Sequence, residues 1–280
     1  MIQVFKSYFA PPSILVSNGC KQKNKKAISE KNHHKFSYYY AHKEVKEALE
    51  IIYSEKCAYC ESKTKHVSSL QVEHYRPKAK VDEDSNHKGY YWLGYEWSNL
   101  LLACPKCNEQ GAKGNRFPIS NIRVSVHSHQ YLADTSPLID ENPLLLNPEI
   151  DNPREHFIFD VYGKIESSTI RGIATIEICK LDRINLNHNR KKEIIDDVFK
   201  ILKPIILGFE SNISIPKETF IIMLKNIFQD LENMQNPSNS YSLLGWYMFN
   251  HFDKFARVHL PNNVQEPIIE AWSRYRDGEL

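Results

Sequence analysis

No stretch of this 280-residue chain reaches the roughly 18 to 20 uninterrupted apolar residues that a membrane span requires, so an integral-membrane reading is excluded. The opening Met1-Ile2-Gln3-Val4-Phe5-Lys6 lacks a charged segment followed by an apolar run, and no secretory leader is expected. There is no internal repeat, no heptad run and no P-loop, so the chain is not expected to hydrolyse nucleotide by itself. Charge of one sign is not in excess either: 36 Lys+Arg stand against 34 Asp+Glu, a net charge of +2. What remains, 41% hydrophobic and 25% charged residues, is the composition of a globular protein with one large domain or two modest ones, expected in a reducing, bacterial-type cytoplasm.

The near-neutral total conceals an asymmetry. Residues 1–120 hold 19 Lys+Arg against 12 Asp+Glu, whereas residues 121–280 hold 17 against 22. A basic first half is weak support for a phosphate-binding surface. Within it, the run Lys21-Gln22-Lys23-Asn24-Lys25-Lys26 reads equally well as a nucleic-acid-tracking segment and as a solvated arm.

Four of the six cysteines form two short clips, Cys57/Cys60 and Cys104/Cys107. In a reducing compartment these are thiolates for a metal rather than disulfide partners. Four thiolates give Zn2+ a closed tetrahedral shell, which is a structural site with no open position for water. Cys20 and Cys179 stand alone and read as a loop thiol and a buried helix thiol. Any chemistry must therefore come from residues between and after the clips.

The fold class expected is α+β, a zinc-stapled ββα domain followed by a mostly helical domain. Residues 1–36 have little apolar periodicity and read as an irregular basic arm; 37–135 form the zinc-bound domain; 136–280 form the helical one. A helix is predicted from about Tyr39 to Ser54, with Val45, Leu49 and Ile52 on one face. Strands are predicted at Leu70–Tyr75 and Leu100–Ala103, and a short helix opening at Pro105 and broken near Gly111 and Gly114. The aromatics Tyr90, Tyr91, Trp92, Tyr95 and Trp97 read as core, with base stacking as the lesser alternative. After a Pro/Asn-rich connector come a hairpin turning at Tyr162-Gly163 and helical periodicity around Ile194–Ile201, Phe220–Leu231, Tyr241–Phe252 and Ile268–Tyr275. Apolar faces without concentrated catalytic residues point to partner docking for residues 136–280.

Hydrolysis of a phosphodiester needs an activated water and stabilisation of charge on the phosphoryl and leaving oxygens, which one imidazole and one divalent ion can supply. His74, on a strand, is the candidate general base. Glu73 and Asn108 offer the carboxylate and amide oxygens that Mg2+ or Mn2+ takes, and Asn99 is placed to order the intervening loop. Because adjacent strand residues face opposite ways, bringing Glu73 and His74 into one site is expected to need a bulge or twist before Pro77. Arg76, Lys78, Lys113 and Arg116 are candidate phosphate contacts.

The elements Cys57-Ala58-Tyr59-Cys60, Val72-Glu73-His74-Tyr75-Arg76-Pro77-Lys78, Asn99-Leu100-Leu101 and Cys104-Pro105-Lys106-Cys107-Asn108 resemble the HNH (ββα-metal, His-Me finger) endonucleases. The resemblance implies His74 as base, Glu73 and Asn108 as ligands of the catalytic ion and Asn99 as the loop-ordering residue. The commoner pattern has Asp where this chain has Glu73, and His where it has Asn108. The block Tyr91–Leu100, Lys113-Gly114-Asn115-Arg116-Phe117-Pro118, Pro143–Pro148 and Leu181-Asp182-Arg183 with Arg190 are similar to the PtuB family, the nuclease subunits of Septu-type and retron-associated anti-phage defence systems. That narrower likeness implies a PtuA-type ATPase partner and a DNA or tRNA substrate. In retron-associated members it also implies a reverse transcriptase with its RNA–DNA hybrid. The competing class is a zinc-held nucleic-acid or protein-binding module without catalysis.

Overall fold

The computed structural model describes residues 1–65, 67–125, 132–210 and 215–280, and the chain separates into two compact units. The first comprises residues 1–157 with 167–181; the second comprises 158–166 with 182–280. Among the described residues, no helix is long and apolar enough to cross a membrane.

The first unit opens with α1 (Ser13–Val16) and α2 (Asn18–Glu30). The expectation of an irregular arm over 1–36 is corrected here: residues 18–30 are a helix, started by Ser17, whose hydroxyl accepts from the Cys20 amide. Its buried face holds only Cys20 and Ala27, too small an apolar stripe to register as periodicity. α3 (Lys43–Ile52) follows, with Val45 and Leu49 buried against the central ribbon. Fully burying such side chains is worth about 1.5 to 3 kcal/mol each.

That ribbon pairs β1 (Gln71–His74) antiparallel with β2 (Leu100–Ala103). The register runs without interruption from Gln71 opposite Ala103 to His74 opposite Leu100. α4 (Pro105–Asn108) is a single turn with proline in its first positions, as expected, and Gly111 (φ 94°) and Gly114 (φ 44°) carry the chain away in left-handed backbone. The aromatics Tyr90, Tyr91, Trp92, Tyr95 and Trp97 are all buried. From the N-terminal segment, the Lys6 ammonium donates to the carbonyls of Trp97 (2.9 Å) and Leu100 (2.6 Å) and pairs with buried Glu149. This ties the chain start to the entrance of β2.

The boundary expected at residue 136 lies elsewhere. Residues 137–157 and α5 (Ile170–Cys179) belong to the first unit, because Arg171 makes a bidentate pair with Asp151 (2.6 and 2.7 Å) and Thr175 accepts from the Leu146 amide. Such pairing across 20 or more residues leaves no local pattern in sequence.

The second unit begins with the hairpin β3 (Ile158–Phe159) and β4 (Ile165–Glu166), with Gly163 at φ 83° in its turn. Its helices are α6 (Ile184–Arg190), a π-helical turn Lys191–Asp196, α7 (Asp197–Glu210), α8 (Lys217–Asn233), α9 (Ser242–Asn250), α10 (Phe252–His259) and α11 (Asn262–Arg276). The single helix expected over Tyr241–Phe252 ends at His251, whose non-helical backbone (φ −132°, ψ 34°) separates α9 from α10. Phe228, Phe252 and Trp272 close the core, with ring centroids 5.0 to 5.7 Å apart.

Candidate active site

The four paired cysteines meet in one buried cluster. Cys57 and Cys60 come from the turn after α3, Cys104 and Cys107 from the end of β2 and the first turn of α4, and their Sγ atoms all lie within 4.8 Å of one another. A hydrogen bond from the Ala58 amide to the Leu102 carbonyl (2.7 Å) seats the first clip on β2, and one from the Cys57 amide to the Ser62 carbonyl (3.1 Å) closes its turn. Cys60 and Cys104, one from each clip, have their sulfurs 3.8 Å apart. A tetrahedron with Zn–S bonds of about 2.3 Å has edges of about 3.8 Å, so the donor set and its spacing fit zinc.

A cleft of about 720 Å³ opens beside this cluster, lined by β1, Tyr40, Lys46, Lys78, Lys80, Asn108 and the loop through Lys113 and Arg116. Glu73 and His74 both line it although the ladder under them is unbroken. Of the bulge or twist expected from their adjacency, the bulge is absent from the ladder. A two-stranded ribbon twists strongly, and the cleft takes in both side chains at its end.

His74 is buried and held from three sides. Nε2 donates to the Gly94 carbonyl at 2.9 Å, and since a carbonyl only accepts, the proton sits on Nε2 and Nδ1 is the basic nitrogen. Lys78 donates its ammonium to Nδ1 at 3.2 Å. Tyr40 packs edge-on against the imidazole, centroids 4.6 Å apart at 63°. Burial first, and then the charge of Lys78, hold the His74 pKa well below the usual histidine value, against the opposing pull of the Gly94 carbonyl. The imidazole is therefore neutral at physiological pH, as a proton acceptor must be.

Glu73 is buried against the Lys113 ammonium, its Oε1 in an ion pair but without a directed hydrogen bond. Burial raises its pKa and Lys113 opposes the shift. Asn108 donates Nδ2 to Gln71 Oε1 (3.1 Å), and its Oδ1 accepts no hydrogen bond among the described residues. A carboxylate and an amide oxygen facing one cleft suit a hard divalent ion. Asn99 behaves as a loop clamp: Oδ1 accepts from the Arg76 amide at 2.8 Å, while Nδ2 donates to the carbonyls of Arg76 (3.0 Å) and Leu93 (3.2 Å).

A family model described as HNH endonuclease matches residues 57–114, the span from the first clip to the end of the cleft loop. The Septu protein PtuB of Bacillus mycoides (strain KBAB4) is 32% identical over 225 residues, covering 73% of this chain and 73% of that protein. The chain belongs to the PtuB family and is an HNH nuclease. The Septu protein PtuA of the same organism is also similar, 33% identical over 132 residues, which is 46% of this chain but only 18% of that protein.

Within this PtuB-family site, two candidate phosphate contacts are reassigned. Arg76 is only 1% exposed; its Nε donates to Glu141 (2.9 Å) and its Nη2 to the Leu138 carbonyl (2.6 Å), so it braces the site from behind. Tyr90 also donates to Glu141, at 2.6 Å. Lys113 is fully buried, donating to the His74 carbonyl at 2.8 Å beside Glu73. Lys78 and half-buried Arg116 stay on the cleft wall, the latter paired with Glu177 at 2.6 Å. The residues that sequence reasoning missed are Tyr40, Gln71 and Glu141. A Tyr-Tyr-Tyr run that breaks helical spacing marks the first, and nothing local marks the other two.

Proposed function

We propose that this chain is a metal-dependent endonuclease hydrolysing phosphodiester bonds of nucleic acid, the effector of an anti-phage defence system in which a PtuA-type ATPase controls it. The observation that carries the reading is the fixed tautomer of His74: a backbone carbonyl holds the Nε2 proton and leaves Nδ1 basic at the cleft. Nδ1 takes the proton of the attacking water, and general-base assistance of this kind is worth about 10^2 to 10^4-fold. Lys78, next to Nδ1, carries a positive charge to the phosphate. Glu73 and Asn108 would hold Mg2+ or Mn2+, which when bound polarises the phosphoryl oxygen and stabilises the leaving oxyanion. Lys113 fixes the Glu73 carboxylate and the His74 carbonyl, and Asn99 and Arg76 keep the strand end in place. The four cysteines hold a structural Zn2+.

DNA is the favoured substrate and tRNA the alternative. A nicking assay on both, with wild type and His74→Ala, with and without EDTA, tests the reading. Cleavage of either that needs a divalent ion and His74 supports it, while equal inertness of both proteins in every divalent metal and with the ATPase present leaves a zinc-held binding module. Docking of the ATPase is assigned to the second unit, whose exposed Ile184, Ile201, Leu207 and Ile222 fit an interface better than a solvated surface. Co-purification that survives charge substitutions at these four residues would refute that assignment.

A further inference from the structure

Residues 11–42 lie outside the HNH match, and their chemistry is one-sided. They hold Lys21, Lys23, Lys25, Lys26, Lys31 and Lys35, all exposed, against Glu30 as the single acidic residue. Glu30 is already engaged by His34 (2.7 Å) and Lys26 (3.4 Å). Lys21, Lys23, Lys25 and Lys26 sit on a placed helix, because α2 is capped by Ser17 and buries Cys20 and Ala27.

Where that helix leads decides its use. A Cβ at Gly19 would overlap the Tyr39 hydroxyl, so α2 lies directly against the tyrosine turn, and Lys23 and Lys26 follow Gly19 at i+4 and i+7 on the same side. The turn carries three tyrosines in different settings. Tyr40 is at the base, 4.6 Å from the His74 ring, with the Lys78 ammonium 4.7 Å over its face. Tyr39 packs against Tyr95. Tyr38 is 63% exposed and stacks on Tyr39, centroids 5.1 Å apart and rings 17° from parallel.

A lysine-bearing helix leading to an exposed aromatic stack, and from there to the catalytic imidazole, combines the two elements by which proteins hold unpaired strands: cationic groups along the backbone and a π-face for a base. We propose that Lys23, Lys26 and Tyr38 form a binding track for the single-stranded nucleotides that flank the scissile phosphate, with one base stacked on Tyr38. This rests on the nuclease reading for its direction toward the cleft and deepens it to a substrate with unpaired flanking nucleotides. A paired base offers Tyr38 no open face, so the track discriminates against continuous duplex.

The test is fluorescence anisotropy with 20-nucleotide oligo-dT, oligo-U and a duplex of equal length, on the full chain carrying His74→Ala to prevent cleavage. The substitutions compared with this parent, at Tyr38, Lys23 and Lys26, are at exposed residues, and unchanged melting and zinc content exclude misfolding. Tyr38→Ala is expected to weaken single-strand binding about 5- to 100-fold, the range for loss of one stacked base. Tyr38→Phe should retain binding, and the duplex should change less than about twofold. The pair Lys23→Gln/Lys26→Gln should reduce the salt slope on single strands by about 1.4, near 0.7 for each phosphate contact. The proposal is overturned if Tyr38→Ala binds single strands like the parent, if it loses duplex and single strand equally, or if the salt slope is unmoved. Comparison with cleavage by the chain with His74 intact separates the two readings. Normal cleavage alongside unaffected oligonucleotide binding removes the track and keeps the nuclease, whereas lost binding in a chain that cleaves nothing keeps the track and removes the nuclease.

Discussion

The two units stabilise themselves by different means. The first buries Lys6, Lys56, Glu61, Glu73, His74, Arg76, His87, Lys113 and Glu141, whereas in the second the one buried charged side chain among the described residues is Arg190. The second unit closes on packed aromatics such as Phe228, Phe252 and Trp272. Burying a charge costs several kcal/mol unless it is paired and hydrogen-bonded. The first unit sets these charges among its buried aromatics around a small ribbon, beside a four-cysteine cluster that has no counterpart in the second unit among the described residues. The proposed base His74, its neighbour Glu73 and the clamp Asn99 are all among these buried polar groups.

The comparison breaks most sharply at the cysteines. Removing zinc with a chelator, or making Cys60→Ser/Cys107→Ser, is expected to unfold the first unit, because zinc binding to such sites is worth about 10 to 16 kcal/mol and the clips close a loop of 43 residues. The second unit holds no such cysteine cluster among the described residues and should keep its helical signal. A chelated protein with unaltered near-ultraviolet dichroism and melting would contradict the contrast. Next comes a paired test. Arg76→Met strands Glu141 and should cost about 3 to 5 kcal/mol in chemical denaturation, and adding Glu141→Leu should restore a large part of it. Phe228→Ala should cost a similar 3 to 5 kcal/mol through its cavity, with no such rescue by a polar partner. If Arg76→Met is neutral, the bracing role is wrong.

Smaller effects separate catalysis from stability. His74→Ala should slow cleavage at least about 10^2-fold, some 2.7 kcal/mol of barrier, while divalent-ion affinity measured by calorimetry stays near that of wild type. Glu73→Ala should also stop cleavage, with part of the rate recovered at high Mg2+ or Mn2+. Metal rescue of the histidine variant and none of the glutamate variant would reverse the two roles. Asn99→Ala should be the mildest in turnover, roughly tenfold, since it disturbs the geometry of the strand end without removing a group that meets the substrate.

The parts legible in sequence were those with short-range signatures. The Cys-x-x-Cys spacing, the strand at residues 71–74 inside its expected 70–75, the strand at Leu100–Ala103 and the proline-started turn all depend on neighbours within a few residues. Helix α2 escaped because Cys20 and Ala27 are its whole buried face. Arg76 was misassigned because an arginine beside a catalytic strand looks the same in sequence whether it meets a phosphate or a glutamate 65 residues away. The unit boundary was misplaced for a similar reason, as Asp151 in the Pro/Asn-rich connector pairs with Arg171 from beyond the hairpin. For the adjacency of Glu73 and His74 the sequence left a bulge or a twist open, and the unbroken register of the ribbon leaves the twist.

The Asn99 side chain has one more consequence. It grips the backbone at Arg76 on one side and at Leu93 on the other, and a few residues inward the Tyr90 amide donates to the Pro77 carbonyl at 2.8 Å. The intervening excursion is thus fastened at both feet, and along its length by the Asp82 amide on the Asn115 carbonyl (3.1 Å) and by Glu83, which accepts from the Phe117 amide (2.8 Å), leaving Ser85 and Asn86 exposed at its tip. Strand end and imidazole are registered to each other across the base of the loop rather than through it. An insertion at the exposed Ser85-Asn86 tip is therefore expected to leave the strand end and the His74 imidazole where they are.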